Sequence, residues 1–215
     1  MLCERQYMLP GEKSNGKQTG LRVIFMNKNE LLPVFSESGN ETGESVKRYI
    51  AHKEGVPHGA SHTYIYKAVN GKIYILLQRR SKEKESFPDM LDVSSAGHMG
   101  YGDTFLETAL RELREELGIT AIESDLVPIM TYKYYSEDNF KGEFFKNCEF
   151  ISVYALKMDV NPKELVLQKE EVSDAVWMAG DDILAELRKA QSEICIKPKD
   201  FERIYYKIKE LEHID

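Results

Sequence analysis

Two spacings of apolar residues run along this chain, and each predicts its own kind of element. Thr63–Val69 and Lys72–Gln78 are short runs rich in β-branched, aromatic and aliphatic residues, joined by Asn70-Gly71. Runs of this kind read as strands, and an Asn-Gly pair between them reads as a tight hairpin turn. Met130–Tyr135, Phe150–Met158 and Val172–Met178 follow the same strand pattern. Leu106, Ala109, Leu110, Leu113 and Leu117 instead recur at helical spacing, which predicts a helix over Thr104–Leu117 that buries one stripe. Asp103 or Thr104 is placed to cap it, Thr104 and Glu107 have capping-box spacing, and Gly118 is a natural left-handed stop. Further helices are expected at Asp181–Ala190 and Lys199–Leu211. Strands interleaved with helices predict an α/β (α+β) domain, a mixed sheet sandwiched between helices.

Before residue 50 the pattern is weaker. Residues 1–20 are polar, Leu21–Met26 is a short strand candidate, and SESGNETGES at 36–45 is a turn-rich hairpin candidate. Residues 1–49 are therefore expected to form an extension packed on a main domain at 50–215. The segment Ser136–Lys146 reads as a loop that reaches the functional site and sets specificity. The aromatic residues Tyr132, Tyr134, Tyr135, Phe140, Phe144 and Phe145 invite base stacking, but a strand edge and core packing explain most of them, and Trp177 reads as core.

Composition narrows the function classes. With 215 residues, 42% hydrophobic and 30% charged, the chain has the make-up of an ordinary globular domain with a sizeable core. It contains no apolar run near the roughly 18 residues that span a membrane, and its first residues lack the apolar segment of a secretory leader. The cytoplasm is the expected compartment. A net charge of −7 argues against nucleic acid as the main partner. Cys3, Cys148 and Cys195 are far apart and odd in number, so they read as free thiols rather than a zinc or disulfide framework.

The chemistry concentrates in the predicted helix over Thr104–Leu117. Glu112, Glu115 and Glu116 occupy one face of it, about 120° away from the apolar stripe. Three carboxylates that close repel one another, and a hard divalent cation is the simplest remedy because it takes oxygen ligands. Cations held by carboxylates usually serve phosphate chemistry.

From Gly97 to Ile119 the chain resembles the Nudix box, G-x5-E-x7-R-E-U-x-E-E-x-G-U with U aliphatic. Every fixed position matches except Asp103, where the family has Glu. The resemblance implies the Nudix α/β/α sandwich, with the box as a loop–helix–loop, and hydrolysis of a small nucleoside-diphosphate-type or other organic diphosphate with Mg²⁺ or Mn²⁺. Carried over by position, the metal ligands are Gly97 through its carbonyl, Asp103, Glu112, Glu115 and Glu116. Arg111 would hold a box carboxylate, and Glu115 or Glu116 would take the proton from the attacking water. A homodimer is common in the family.

A longer stretch, about His52 to Leu156, is similar to the isopentenyl-diphosphate isomerase branch of that superfamily. The carrying residues are His52 to His58, Leu77 to Pro88, Ala96-Gly97-His98 and Asn147-Cys148-Glu149. The resemblance assigns Arg80 and Lys84 to the substrate diphosphate, and His52, His58, His98 and Glu149 to a second metal, with Asn147 where the isomerases have Glu. It also exposes a departure. Isomerases carry a catalytic Cys before the Gly-His, and here that position is Ala96, which transfers no proton. The neighbouring Ser94 and Ser95 hydroxyls are poor substitutes for a thiol. The expected activity is thus a pyrophosphohydrolase, with an isomerase-like protein or a non-catalytic nucleotide-binding module as the alternatives.

Overall fold

The computed structural model describes residues 29–140 and 142–214; the strand expected at Leu21–Met26 and the thiol of Cys3 lie outside them. The elements, in order, are β1 (Leu31–Phe35), β2 (Glu41–Lys47), α1 (Arg48–Glu54), β3 (His58–Val69), β4 (Lys72–Arg80), β5 (Leu91–Asp92), β6 (Ser95–His98), α2 (Phe105–Leu117), β7 (Leu126–Phe140), β8 (Glu143–Lys157), β9 (Val172–Ala179), α3 (Gly180–Leu187) and α4 (Pro198–Leu211). Short 3-10 turns sit at Glu123–Asp125 and Pro162–Glu164.

Among the described residues, nine strands form one mixed sheet with β3 near its centre. β3 pairs antiparallel with β4 and β6 and parallel with β8, where His58 stands opposite Glu149. The β3–β4 turn uses Asn70 at φ 51° and Gly71 at φ 73°, the left-handed pair that a two-residue hairpin requires. Because side chains alternate along a strand, β3 sends Ala60, Tyr64 and Tyr66 to one face and Ile65 to the other. The first face packs against α3 and α4 through Ile183, Leu184, Leu187, Phe201, Ile204 and Ile208. The second packs against α2 through Ala109, Leu113 and Leu117. The expected helix–sheet–helix sandwich is the observed one.

The turn-rich 36–45 segment is the expected hairpin: it forms the bend between β1 and β2 and the first part of β2. Two features differ from the sequence reading. Ser136–Lys146 is not an open loop: β7 and β8 continue through it and pair out to Phe140 and Glu143. Its run of Ser, Glu, Asp and Asn is polar because one face is open, while Tyr134, Ser136, Asp138 and Phe140 alternate onto the half-buried face. Finally, Arg48–Glu54 carries no strong helical pattern yet forms α1, which closes on Gly55 at φ 75°. No described helix is long and apolar enough to cross a membrane.

Candidate functional site

α2 starts where its capping chemistry dictates. The Thr104 hydroxyl accepts from the Glu107 N–H at 3.2 Å, and the Glu107 carboxylate accepts from the Thr104 N–H at 2.8 Å, a complete capping box. Gly118 ends the helix at φ 69°. Burial of Ala109, Leu113 and Leu117 fixes the roll of the helix. That roll turns Glu116 inward and leaves Glu115 at the open side.

Glu116 is 4% exposed. Its Oε2 accepts from the Ala96 N–H at 3.1 Å and from the Gln78 amide at 3.4 Å. Glu112 lies over Gly97, so close that a Cβ on residue 97 would stand 2.1 Å from the Glu112 carboxyl carbon. Arg111 ties the cluster together. Its Nη1 donates to Glu112 at 2.5 Å and faces Glu115 at 3.6 Å, and its Nη2 donates to the His98 carbonyl at 3.1 Å. Asp103 faces the same guanidinium at 3.8 Å and is not among the residues that line the central cavity.

Burial raises both inner carboxyls from the usual carboxylate range. Glu112 reaches about 7, although Arg111 opposes the shift, with Glu115 adding repulsion. Glu116 reaches about 8, with repulsion from Glu112 added to burial. Two carboxyls this reluctant to ionise form a site that a cation would complete.

The cavity has a volume of about 400 Å³ and is lined by Gly97, Glu112, Glu115 and Glu116 together with Arg80 and Lys84. Both basic residues already have partners. Lys84 is paired with Glu171. Arg80 donates to the Ser86 carbonyl at 2.8 and 3.1 Å, to the Ser86 hydroxyl at 3.1 Å and to Asp92 at 2.9 Å.

His52 and His98, which line the same cavity, cluster with the fully buried His58. One ring nitrogen from each of His52, His58 and His98 lies within 4.8 Å of the others. The register places them: β3 sets His58 opposite Glu149 of β8 and Ala60 opposite His98 of β6, and α1 adds His52. His98 Nε2 is 3.1 Å from Glu149, and His58 Nε2 is 3.7 Å from it. His58 Nδ1 bonds the Val56 carbonyl at 2.8 Å, so in its neutral form Nε2 carries a lone pair aimed at a carboxylate. Both nitrogens of His52, Nε2 of His58 and Oδ1 of Asn147 are buried without a hydrogen-bond partner. Burial is the main reason His52 falls to about 2 and His98 to about 3, so both imidazoles are neutral at pH 7. For Glu149 burial acts the other way, but the His58 and His98 imidazoles beside it outweigh it and hold the carboxyl well below its usual range.

Residues 59–197 match the NUDIX domain model. The chain belongs to the Nudix family. This Nudix domain is 39% identical over 155 residues to Nudix hydrolase 3 of Arabidopsis thaliana, a match spanning 71% of this chain but 20% of that protein. It is 32% identical to an uncharacterized Nudix hydrolase of Clostridium acetobutylicum over 72% of each chain. The crystal structure of a Deinococcus radiodurans protein superposes with a TM-score of 0.63 at 21% identity, covering 82% of this chain and 99% of that one; that likeness concerns the fold. By family the chain is a Nudix hydrolase, a class that acts on phosphoanhydride bonds. The matched region begins one residue after His58, so His52 and His58 lie outside it, while His98, Glu149 and the whole box lie inside.

The sequence reading passed over Gln78, the polar end of an apolar run (Ile73 to Leu77) whose buried amide meets Glu116. A polar residue at a position that alternation assigns to the core was the available signal. It also passed over Glu171, which carries no local pattern and reaches the cavity through a loop. Ser94, weighed as a proton donor, instead donates to the Leu76 carbonyl at 2.5 Å and accepts from the Ile65 N–H at 2.7 Å.

Proposed function

We propose that this Nudix domain is a Mg²⁺- or Mn²⁺-dependent pyrophosphohydrolase that cleaves the diphosphate bond of a small nucleoside-diphosphate-type or other organic diphosphate in the cytoplasm. The observation that carries the reading is the buried pair Glu112 and Glu116 beside the Gly97 backbone, two carboxyls that burial keeps from ionising without a counter-charge. Glu112, Glu116 and the Gly97 carbonyl would hold a divalent ion, with Glu115 at the open side. A bound ion supplies neutralisation of the charge that develops on the phosphate oxygens.

The protein's own groups do the rest. Glu115 lines the cavity and is open to solvent, so it is placed to take the proton from the attacking water. Arg111 holds Glu112 and Glu115 in orientation and is itself anchored on the His98 carbonyl. Gln78 and the Ala96 N–H fix one oxygen of Glu116. Lys84 offers an ammonium to the phosphate oxygens once it exchanges its partner Glu171. Arg80 contributes there through the guanidinium N–H that Ser86 and Asp92 leave over. Asp103 supports the cluster through Arg111 and takes the Glu position of the box one methylene short.

A second cation belongs to the histidine cluster. Its orphaned nitrogens, the Glu149 carboxylate and the Asn147 amide oxygen form a nitrogen-rich donor set that suits a transition ion better than Mg²⁺. Residues 50–215 form the catalytic domain on this reading and residues 1–49 an extension. Phe35, packed on Met99 and Phe150, supports that division. Position 96 argues against the isomerase alternative, since its alanine offers only a backbone N–H, already given to Glu116.

A screen of nucleoside diphosphates and their sugar derivatives, dinucleotide polyphosphates, nucleoside triphosphates, coenzyme A and isoprenoid diphosphates, with Mg²⁺ or Mn²⁺, tests the proposal by released phosphate. Metal-dependent release from at least one class is expected. Tight binding across the panel without turnover would favour the non-catalytic module instead.

A further inference from the structure

Three phenylalanines close the cavity from above, and none of them belongs to the Nudix box. Phe87 comes from the loop between β4 and β5, and Phe140 and Phe145 come from the tip of the β7–β8 hairpin; all three line the cavity. Phe87 and Phe140 meet edge to face with centroids 5.2 Å apart, Phe140 and Phe145 at 5.7 Å, and Phe145 stacks on His52 at 4.3 Å. The rings thus form a continuous arch from the loop that carries Lys84 to the histidine cluster. Tyr132 and Tyr134 of β7 stand on the same half-buried face.

The loop that holds Phe87 is constrained in a costly shape. Phe87 has φ 47° and Asp89 has φ 65°, a region that side-chain-bearing residues seldom occupy, and such strain persists where the surroundings over-determine it. The surroundings here are two arginines. Arg80 grips Ser86 through both its carbonyl and its hydroxyl, and Arg79 donates to the Asp89 carbonyl at 2.6 Å. Four side-chain bonds flank one residue, and that residue points a phenyl ring into the cavity.

We propose that Phe87, Phe140 and Phe145 are the specificity-determining wall for the organic half of the substrate, and that Arg80 is the positioning residue that sets Phe87. This rests on the hydrolase reading of the same cavity. Phenyl rings offer no hydrogen bonds. The wall therefore favours an organic group that presents a carbon face without hydroxyls, whether a flat heterocycle or a short hydrocarbon, over a sugar whose hydroxyls would lose their water there.

The test is a comparison of kcat/KM on a nucleoside diphosphate, a short branched-alkyl diphosphate and a hexose diphosphate, for the wild-type chain and for Phe140→Leu, Phe140→Tyr, Phe87→Leu and Arg80→Lys. The far-ultraviolet circular dichroism and melting temperature of each variant are checked in parallel. The wild type should prefer one or both of the substrates that bring a hydroxyl-free carbon face, the base of the nucleoside diphosphate or the alkyl chain. Phe140→Leu and Phe87→Leu should reduce that preference about 2- to 10-fold through KM, the size of one aromatic contact, and Phe140→Tyr should restore it. Arg80→Lys, which cannot hold Ser86 with a planar fork, should show the Phe87→Leu change of preference on top of a loss common to all three substrates, because Arg80 also faces the phosphate. Whichever of these two substrates responds identifies the source of the carbon face. Equal losses on all three substrates in Phe87→Leu and Phe140→Leu, with both variants folded, would overturn the wall while leaving the hydrolase reading standing. Hexose diphosphate as the preferred wild-type substrate would overturn it as well. Failure of the wild type to cleave any diphosphate in Mg²⁺ or Mn²⁺ would remove the hydrolase reading and this proposal together.

Discussion

Gly97 lies against Glu112 so closely that a single methyl group at position 97 would stand 2.1 Å from the Glu112 carboxyl carbon. The glycine is required by space and not by backbone conformation, since residue 97 lies in the extended strand β6 and has no positive φ. Gly97→Ala should displace Glu112 and abolish metal-dependent phosphate release. Overpacking of this kind costs about 1–3 kcal/mol, so the variant should still fold. Circular dichroism with an activity assay checks both halves of the expectation.

Gln78 reaches Glu116 of α2 from β4. Gln78→Leu keeps the volume and removes the amide, leaving one Glu116 oxygen with only the Ala96 N–H. Loss of a group that orients a metal ligand costs about 10- to 100-fold in metal affinity or activity. Mn²⁺ titration by calorimetry should show the weakening, and Gln78→Glu, which adds a buried negative charge, should behave differently from Gln78→Leu.

The raised carboxyls fix the sign of the pH dependence. Burial lifts Glu116 from 4.5 to about 8 and Glu112 to about 7, so the metal-free fold binds more protons than the unfolded chain between those limits. Its stability is fullest below pH ~4.5 and declines as the pH rises through about 8. A cation must displace those protons at neutral pH, so its affinity should climb up to about pH 8 and then level off. Melting curves of the metal-free protein and proton release on Mn²⁺ addition, measured across that range, check both trends. Affinity that falls as the pH rises would contradict them.

The histidine centre should be separable from the box. Zn²⁺ or Co²⁺ titration is expected to find a site that His58→Ala removes and Glu116→Gln leaves in place. Co²⁺ absorption reads the ligand set directly. Persistence of the same spectrum in His58→Ala would mean that the centre is not where the metal binds.

The box was legible because its signals are local. Capping residues, the apolar stripe, three glutamates and a terminal glycine all fall within one helix and its ends, and the structure reproduces them. The hairpin at Asn70-Gly71 was legible for the same reason. The histidine centre could be suspected only from resemblance, because it is assembled by the parallel pairing of β3 with β8 and by α1, contacts between segments about 90 residues apart. The phenylalanine arch was hidden by composition. Polar residues between Tyr135 and Phe140 suggested an open loop, whereas strand alternation puts every second one on the cavity side. Arg80 looked like an anion clamp from its charge alone, and only the structure reveals how much of its guanidinium is committed to Ser86 and Asp92.

The most direct measurement is phosphate release in Mg²⁺ or Mn²⁺ by the wild-type chain and by Glu116→Gln, on whichever diphosphate the wild type cleaves. Glu116→Gln keeps the shape of the side chain and removes its charge. Because a bound ion contributes several kcal/mol to phosphate chemistry, turnover should fall at least about 100-fold while the melting temperature of the metal-free protein holds or rises. Wild-type turnover in Glu116→Gln would contradict a metal site at Glu112 and Glu116.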